Sequence, residues 1–152
     1  MKELKVQPIR NGTVIDHVAP GMALKVLRIL NLPRPGSTST VLVAMNVPSQ
    51  RPVERKDILK IEDRELDANE VSKIALIAPQ ATINIVRDYE VQRKEVVRLP
   101  DKVNGLVKCP NPNCITNHEP VKSSFIVVTT DPVRLRCGYC EREVTDVAEH
   151  VV

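Results

Sequence analysis

Tryptophan is absent from the 152 residues, phenylalanine occurs once and tyrosine twice. Any core must therefore be aliphatic, and this argues against modules that stack bases on aromatic platforms. No apolar run approaches the roughly 18 residues that a membrane span needs, so no membrane contact is expected. The opening MKELKVQPIR has no apolar stretch of the secretory kind, so no signal peptide is expected and the expected location is cytoplasmic. No Walker loop, G-x-G-x-x-G, G-x-S-x-G or H-E-x-x-H is present. A strong charge of one sign is missing too. The balance of 22 basic and 19 acidic side chains, net +3, is too small for a nucleic-acid footprint.

What is present suits one ordinary domain or two small ones. Hydrophobic residues make up 42% and charged residues 27%, enough for a core and a solvated surface. The charge is uneven. Residues 1–100 carry 16 basic and 12 acidic side chains, whereas residues 101–152 carry 6 and 7 together with all four cysteines. A two-part chain follows, 1–99 and 100–152, with the stiff Leu99-Pro100-Asp101 as linker.

In the first part, Leu4 to Ile9 alternates like a strand, and Thr13 to His17 reads as a second extended piece after the Asn11-Gly12 turn. Pro20 suits a helix N1 position, with Met22, Val26, Ile29 and Leu30 on one face. Residues 40–47 are nearly all apolar, as in a strand inside a sheet. Residues 48–55 read as a Pro-bounded loop and 57–61 as a strand. Asp67 and Glu70 resemble a capping box opening a helix through Val71, Ile74 and Ala75. Residues 82–87 and 89–97 read as a hairpin turning at Arg87-Asp88. The order β-α-β-β-α-β with an extra strand predicts an α+β fold. Its first part is a ferredoxin-like sandwich, an antiparallel sheet with two helices on one face.

Cys109 and Cys114 form a C-x4-C, Cys137 and Cys140 a C-x2-C, and residues 115–136 lie between. Two such loops supply four thiolates suited to a structural Zn²⁺ in a small β-rich domain. Two disulfides or an iron site remain as alternatives. A complete shell of four protein ligands leaves no open position for a substrate, and His118 and His150 read as surface residues. Lys56, Lys60 and Lys94 stand on or beside predicted strands, and each alone is compatible with an ordinary solvated lysine. Asp16-His17 is equally compatible with an exposed ion pair. No catalytic constellation emerges. A small enzyme lacks its reactive residues, and a free nucleic-acid-binding zinc ribbon lacks a basic cysteine segment.

Five stretches nevertheless occur in a specific order: Gly12-Thr-Val-Ile-Asp-His17, Arg55-Lys-Asp-Ile-Leu-Lys-Ile-Glu62, Ala78-Pro-Gln-Ala-Thr-Ile-Asn84, Tyr89-Glu-Val91 and Cys109-Pro-Asn-Pro-Asn-Cys114. Cys137-Gly-Tyr-Cys-Glu141 follows. The chain resembles, end to end, the regulatory chains of aspartate carbamoyltransferase. The resemblance implies a non-catalytic subunit in pyrimidine biosynthesis, with an N-terminal domain for the effectors CTP, ATP and UTP. It implies a C-terminal zinc domain that docks on a catalytic chain. It also implies a regulatory homodimer, and a holoenzyme of two catalytic trimers and three regulatory dimers.

Residue by residue, the resemblance assigns Asp16 and His17 to ribose and phosphate, and Lys60 and Lys94 to base, sugar and phosphates. Ile9, Asn84, Tyr89 and Val91 would line base and ribose, with Val14 nearby and Lys56 at the phosphate end. Asn111, Asn113, Glu141 and Arg142 would face the catalytic chain.

Overall fold

Alternating burial along the central strands decides which side of the first sheet is covered. The computed structural model describes residues 9–50 and 55–152. The strand expected at Leu4 to Ile9 lies outside these except for Ile9, and so do residues 51–54 of the expected loop. Five strands, β1 (Gly12–Val18), β2 (Val41–Pro48), β3 (Arg55–Glu62), β4 (Thr82–Arg87) and β5 (Glu90–Val96), form one antiparallel sheet. Their spatial order is β2-β3-β1-β4-β5. Helices α1 (Ala23–Ile29) and α2 (Ala68–Ile77) enter between β1 and β2 and between β3 and β4, the ferredoxin-like succession. Ile15, Leu59, Ile61, Ile83 and Ile85 point to one side and pack with Val26, Leu30, Ile74 and Ile77. The intervening residues of the same strands form the other, helix-free face.

Three local expectations change. Pro20 does not open α1; Met22 is the N-cap and Pro20 lies in the turn before it. Among the described residues, 41–48 form an edge strand, because β2 pairs only with β3 there, and Val43 and Met45 are exposed. The hairpin turns at Asp88-Tyr89, both at positive φ (50° and 66°), one residue later than the sequence suggests. Their N–H groups donate to Asn11 Oδ1 (3.0 Å) and the Arg10 carbonyl (2.8 Å), which hold this glycine-free turn against the start of β1. The capping box is present. Asp67 Oδ1 accepts from the Glu70 N–H at 2.8 Å, and Glu70 Oε1 accepts from the Asp67 N–H at 3.2 Å. Gly12 sits where β1 passes closest to β3. A Cβ there would lie 2.0 Å from the Ile61 carbonyl oxygen, and its φ of +139° is itself a glycine conformation.

The second part is a four-stranded antiparallel sheet, β6 (Lys102–Asn104), β7 (Ser124–Thr130), β8 (Val133–Cys137) and β9 (Glu143–Val144), in sequential order. Phe125, Leu135, Val103, Val107 and Val144 make its core together with three of the cysteines. The two parts meet along α2, whose Leu76 is buried in this second core, while Leu99 and Val151 pack against both. Polar links cross between them, among them Lys25 to Glu149, and Gln80 Nε2 donating to Asp131 Oδ2 at 2.7 Å. Among the described residues, no helix is long and apolar enough to cross a membrane.

Candidate functional site

The four cysteines converge because β7 and β8 carry the second loop back over the first. Their sulfurs all lie within 4.8 Å of one another, with Cys109–Cys140 and Cys114–Cys137 each 3.7 Å apart. A disulfide would require about 2.05 Å, and all four are free thiols. A tetrahedral ion with bonds of about 2.3 Å would require edges of about 3.8 Å, which these separations match.

The surrounding backbone is arranged for thiolates. N–H groups of Asn111, Thr116, Tyr139, Cys140 and Arg142 face the sulfurs. Burial pushes the Cys109 thiol up to about 12 and raises Cys137 as well. At Cys140 burial is outweighed by the Asn111 side chain and the Arg142 N–H, which bring it down to about 7. At Cys114 bonds from Thr116 likewise outweigh burial and lower it. Four sulfurs this close cannot all ionise without a cation among them, so the donor set fits a metal.

Asn111 belongs to this loop. Its Oδ1 accepts from the Asn113 N–H at 3.0 Å, and its carbonyl accepts from the Cys114 N–H and from Asn117 Nδ2. Asn113, Glu141 and Arg142 are exposed, and Glu141 holds its turn at φ 63°. Both histidines bond locally and stand outside the sulfur cluster, His118 donating to the Pro112 carbonyl and His150 meeting Asp146.

Strand register gathers most of the remaining candidates on the helix-free face of the first sheet. Lys60 on β3 faces Val14 on β1, Val14 faces Asn84 on β4, and Asn84 faces Lys94 on β5. These four residues form one cross-strand row. One step along, Asp16 faces Thr82, and Lys56 Nζ reaches Asp16 at 3.0 Å. Burial holds the Lys60 ammonium below its usual range, while Asp16 pulls the other way.

A bulge in β1 at Asp16-His17 puts His17 at φ 58°. This turns its ring to Thr82, with Nδ1 and Oγ1 3.1 Å apart. Beyond it lies a cavity of ≈ 210 Å³ lined by His17, Pro20, Ser49, Arg55, Lys56 and Gln80. Val91 and Tyr89 are exposed at the far end of the sheet, whereas Ile9 is buried, 3% exposed.

Two residues of this region give no signal in the sequence. Asp57, fully buried on β3 beside Lys56, accepts from the N–H groups of Gly21 (3.0 Å), Ala23 (3.1 Å) and Asn46 (2.8 Å). It ties the start of α1 and a bulge of β2 to the strand that carries both lysines. Gln80 is the other, since it lines the cavity and also bonds to the second part of the chain.

Comparison with known proteins identifies the family. Residues 4–98 match the family model for the aspartate carbamoyltransferase regulatory chain, allosteric domain, and residues 101–149 match the metal binding domain of the same chain. A regulatory chain from Pyrococcus abyssi is 54% identical over 142 residues, covering 93% of either chain. One from Methanothrix thermoacetophila is 55% identical over 154 aligned positions, 99% of this chain and 98% of that one. One from Methanothermobacter thermautotrophicus is 57% identical over 141 residues, 92% and 88% respectively. Over its whole length, therefore, this chain belongs to the aspartate carbamoyltransferase regulatory-chain family, a non-catalytic chain with an allosteric and a metal-binding domain.

Proposed function

We propose that residues 1–99 bind nucleoside triphosphate effectors, CTP, ATP and UTP, on the helix-free face of the first sheet. Residues 100–152 hold one structural zinc and dock on the catalytic chain. The observation that carries the reading is the row Lys60–Val14–Asn84–Lys94, with Asp16, Lys56 and His17 one step away. Two ammonium groups flank an apolar residue and an amide, the mixture that a base, a sugar and phosphates require. Ile9, Tyr89 and Val91 complete the base end. In this reading the chain pairs with a second copy, and three such dimers join two catalytic trimers in the cytoplasm for pyrimidine synthesis.

The test is calorimetric titration of CTP and ATP into the zinc-loaded chain. Lys60→Ala and Lys94→Ala are each expected to weaken binding by about 1.5–3 kcal/mol, the value of a charge-assisted hydrogen bond. Activity of the holoenzyme without nucleotide stays at the parent level. Unchanged affinity in both variants would place the effector elsewhere.

For the contact with the catalytic chain we propose Asn111, Asn113, Glu141 and Arg142, at the exposed end of the metal domain. Asn113 is the sharpest of these, because its side-chain amide has no hydrogen-bond partner among the described residues, whereas Asn111 serves the metal loop. Asn113→Ala is expected to retain full zinc and to weaken assembly with the catalytic chain, measured by size-exclusion chromatography. Assembly and nucleotide response equal to the parent would reduce it to a loop residue.

A further inference from the structure

Gln80 belongs to two places at once. The residue lines the cavity at the His17–Lys56 end of the first sheet, and its side-chain amide nitrogen donates to Asp131 Oδ2 at 2.7 Å in the turn between β7 and β8. A carboxylate only accepts, so the nitrogen of the amide must face it. Asp131 does not line that cavity. It lies across an open cleft of ≈ 390 Å³ between the two parts of the chain, with Leu76, Val133 and Val147 among its walls. The cavity holds two cations, Arg55 and Lys56, beside the His17 ring, with Asp16 as the carboxylate on Lys56. Its chemistry suits a polyphosphate tail.

We propose that Gln80 is a relay between effector and metal domain: the distal phosphates of a bound nucleoside triphosphate compete with Asp131 for its amide. This rests on the effector reading above. Both competitors are anionic and address the same amide nitrogen, and its two N–H groups can serve both only by bringing like charges together, so satisfying one weakens the other. The coupling is therefore antagonistic, and by reciprocity a bound triphosphate loosens the Gln80–Asp131 link. It requires the phosphate tail, so a nucleoside monophosphate, which does not extend to the cavity, does not elicit it.

The experiment titrates CTP, CMP and inorganic triphosphate into the full zinc-loaded chain, comparing the parent with Asp131→Ala, Gln80→Ala and the double variant. Asp131→Ala is expected to tighten CTP and triphosphate binding about fivefold, at the lower end of ordinary coupling between sites. CMP affinity is unchanged. In the Gln80→Ala background the Asp131 effect disappears, giving a non-additive cycle. Asp146→Ala, which removes a carboxylate of the same domain without touching Gln80, leaves CTP affinity at the parent value. Zinc content and melting temperature are measured for each protein, and Asp131→Ser replaces the alanine variant if that one does not fold.

An additive cycle, an equal effect from Asp146→Ala, or no effect of Asp131 would overturn the relay while leaving the effector site intact. Failure of the parent to bind CTP would overturn the effector reading and the relay together.

Discussion

Chelating the metal is expected to unfold residues 101–152 and to leave the first sheet standing. The second core consists of a few aliphatic side chains and Phe125, and three of its buried members are the metal-binding cysteines themselves. Such a domain draws its folding free energy from the ion, about 10–16 kcal/mol for structural zinc. The first core has its own buried cluster from Ile15 to Val97 and takes no ligand from the cysteines. Cys114→Ser should act as chelation does, because three thiolates do not complete the tetrahedron. Protection from amide exchange would then be lost throughout β6 to β9 and kept in β1, β3 and β4. The exception is α2 near Leu76, which loses its covering from the second core. A chelated chain that retains protection in β7 and β8, or metal analysis that finds iron in place of zinc, would refute the proposal.

The second large effect is expected at Asp57. Its carboxylate satisfies three backbone N–H groups from two different segments and is fully buried. Asp57→Ala leaves the Ala23 N–H without an acceptor in the interior, while water reaches Gly21 and Asn46. With about 1–3 kcal/mol for a buried orphan and a lesser loss at the other two, the total is about 3–5 kcal/mol. For a chain of this size that is a fall on the order of 10 °C in melting temperature. Asp57→Asn keeps one oxygen acceptor and should recover part of the loss. Thermal unfolding of both variants decides it. A loss below about 1 kcal/mol in Asp57→Ala would mean that solvent replaces the carboxylate at all three amides.

The uneven legibility of this chain in its sequence has physical causes. Short-range patterns carry through. Asp67 and Glu70 announce α2 because a capping box is made within four residues, and the cysteine spacing announces a cluster because each loop is local. The β-α-β-β-α-β succession carries through for the same reason.

What escapes depends on long-range pairing. Val41 to Val47 is apolar enough for a central strand, yet among the described residues it takes the edge, since strand order is set by the crossovers rather than by composition. Asp57 looks like any charged residue at a strand start until Gly21 and Asn46 come against it from elsewhere in the chain. The bulge at His17 and the Asp88-Tyr89 turn both use positive φ without glycine, so no residue type marks them. The Lys60–Val14–Asn84–Lys94 row draws on four separate segments, and single lysines on strands carry no hint of their neighbours.

Gly12 has a consequence for how this sequence can vary. Its missing side chain is what lets β1 close on β3, with the Ile61 carbonyl in the space a methyl group would take. Neighbouring positions can change in concert, because a smaller side chain at one can be filled from another. Here the obstacle is main chain, which no change of residue type at position 61 removes. A library of random substitutions screened for folded protein should therefore return glycine alone at position 12, while the half-buried Val14 tolerates replacements. Gly21 and Gly36, whose added Cβ would meet nothing within 4 Å, pose only a conformational strain. Drift in this strand is blocked by the shape of its neighbour's backbone, and a shift of that backbone would move Lys60 with it.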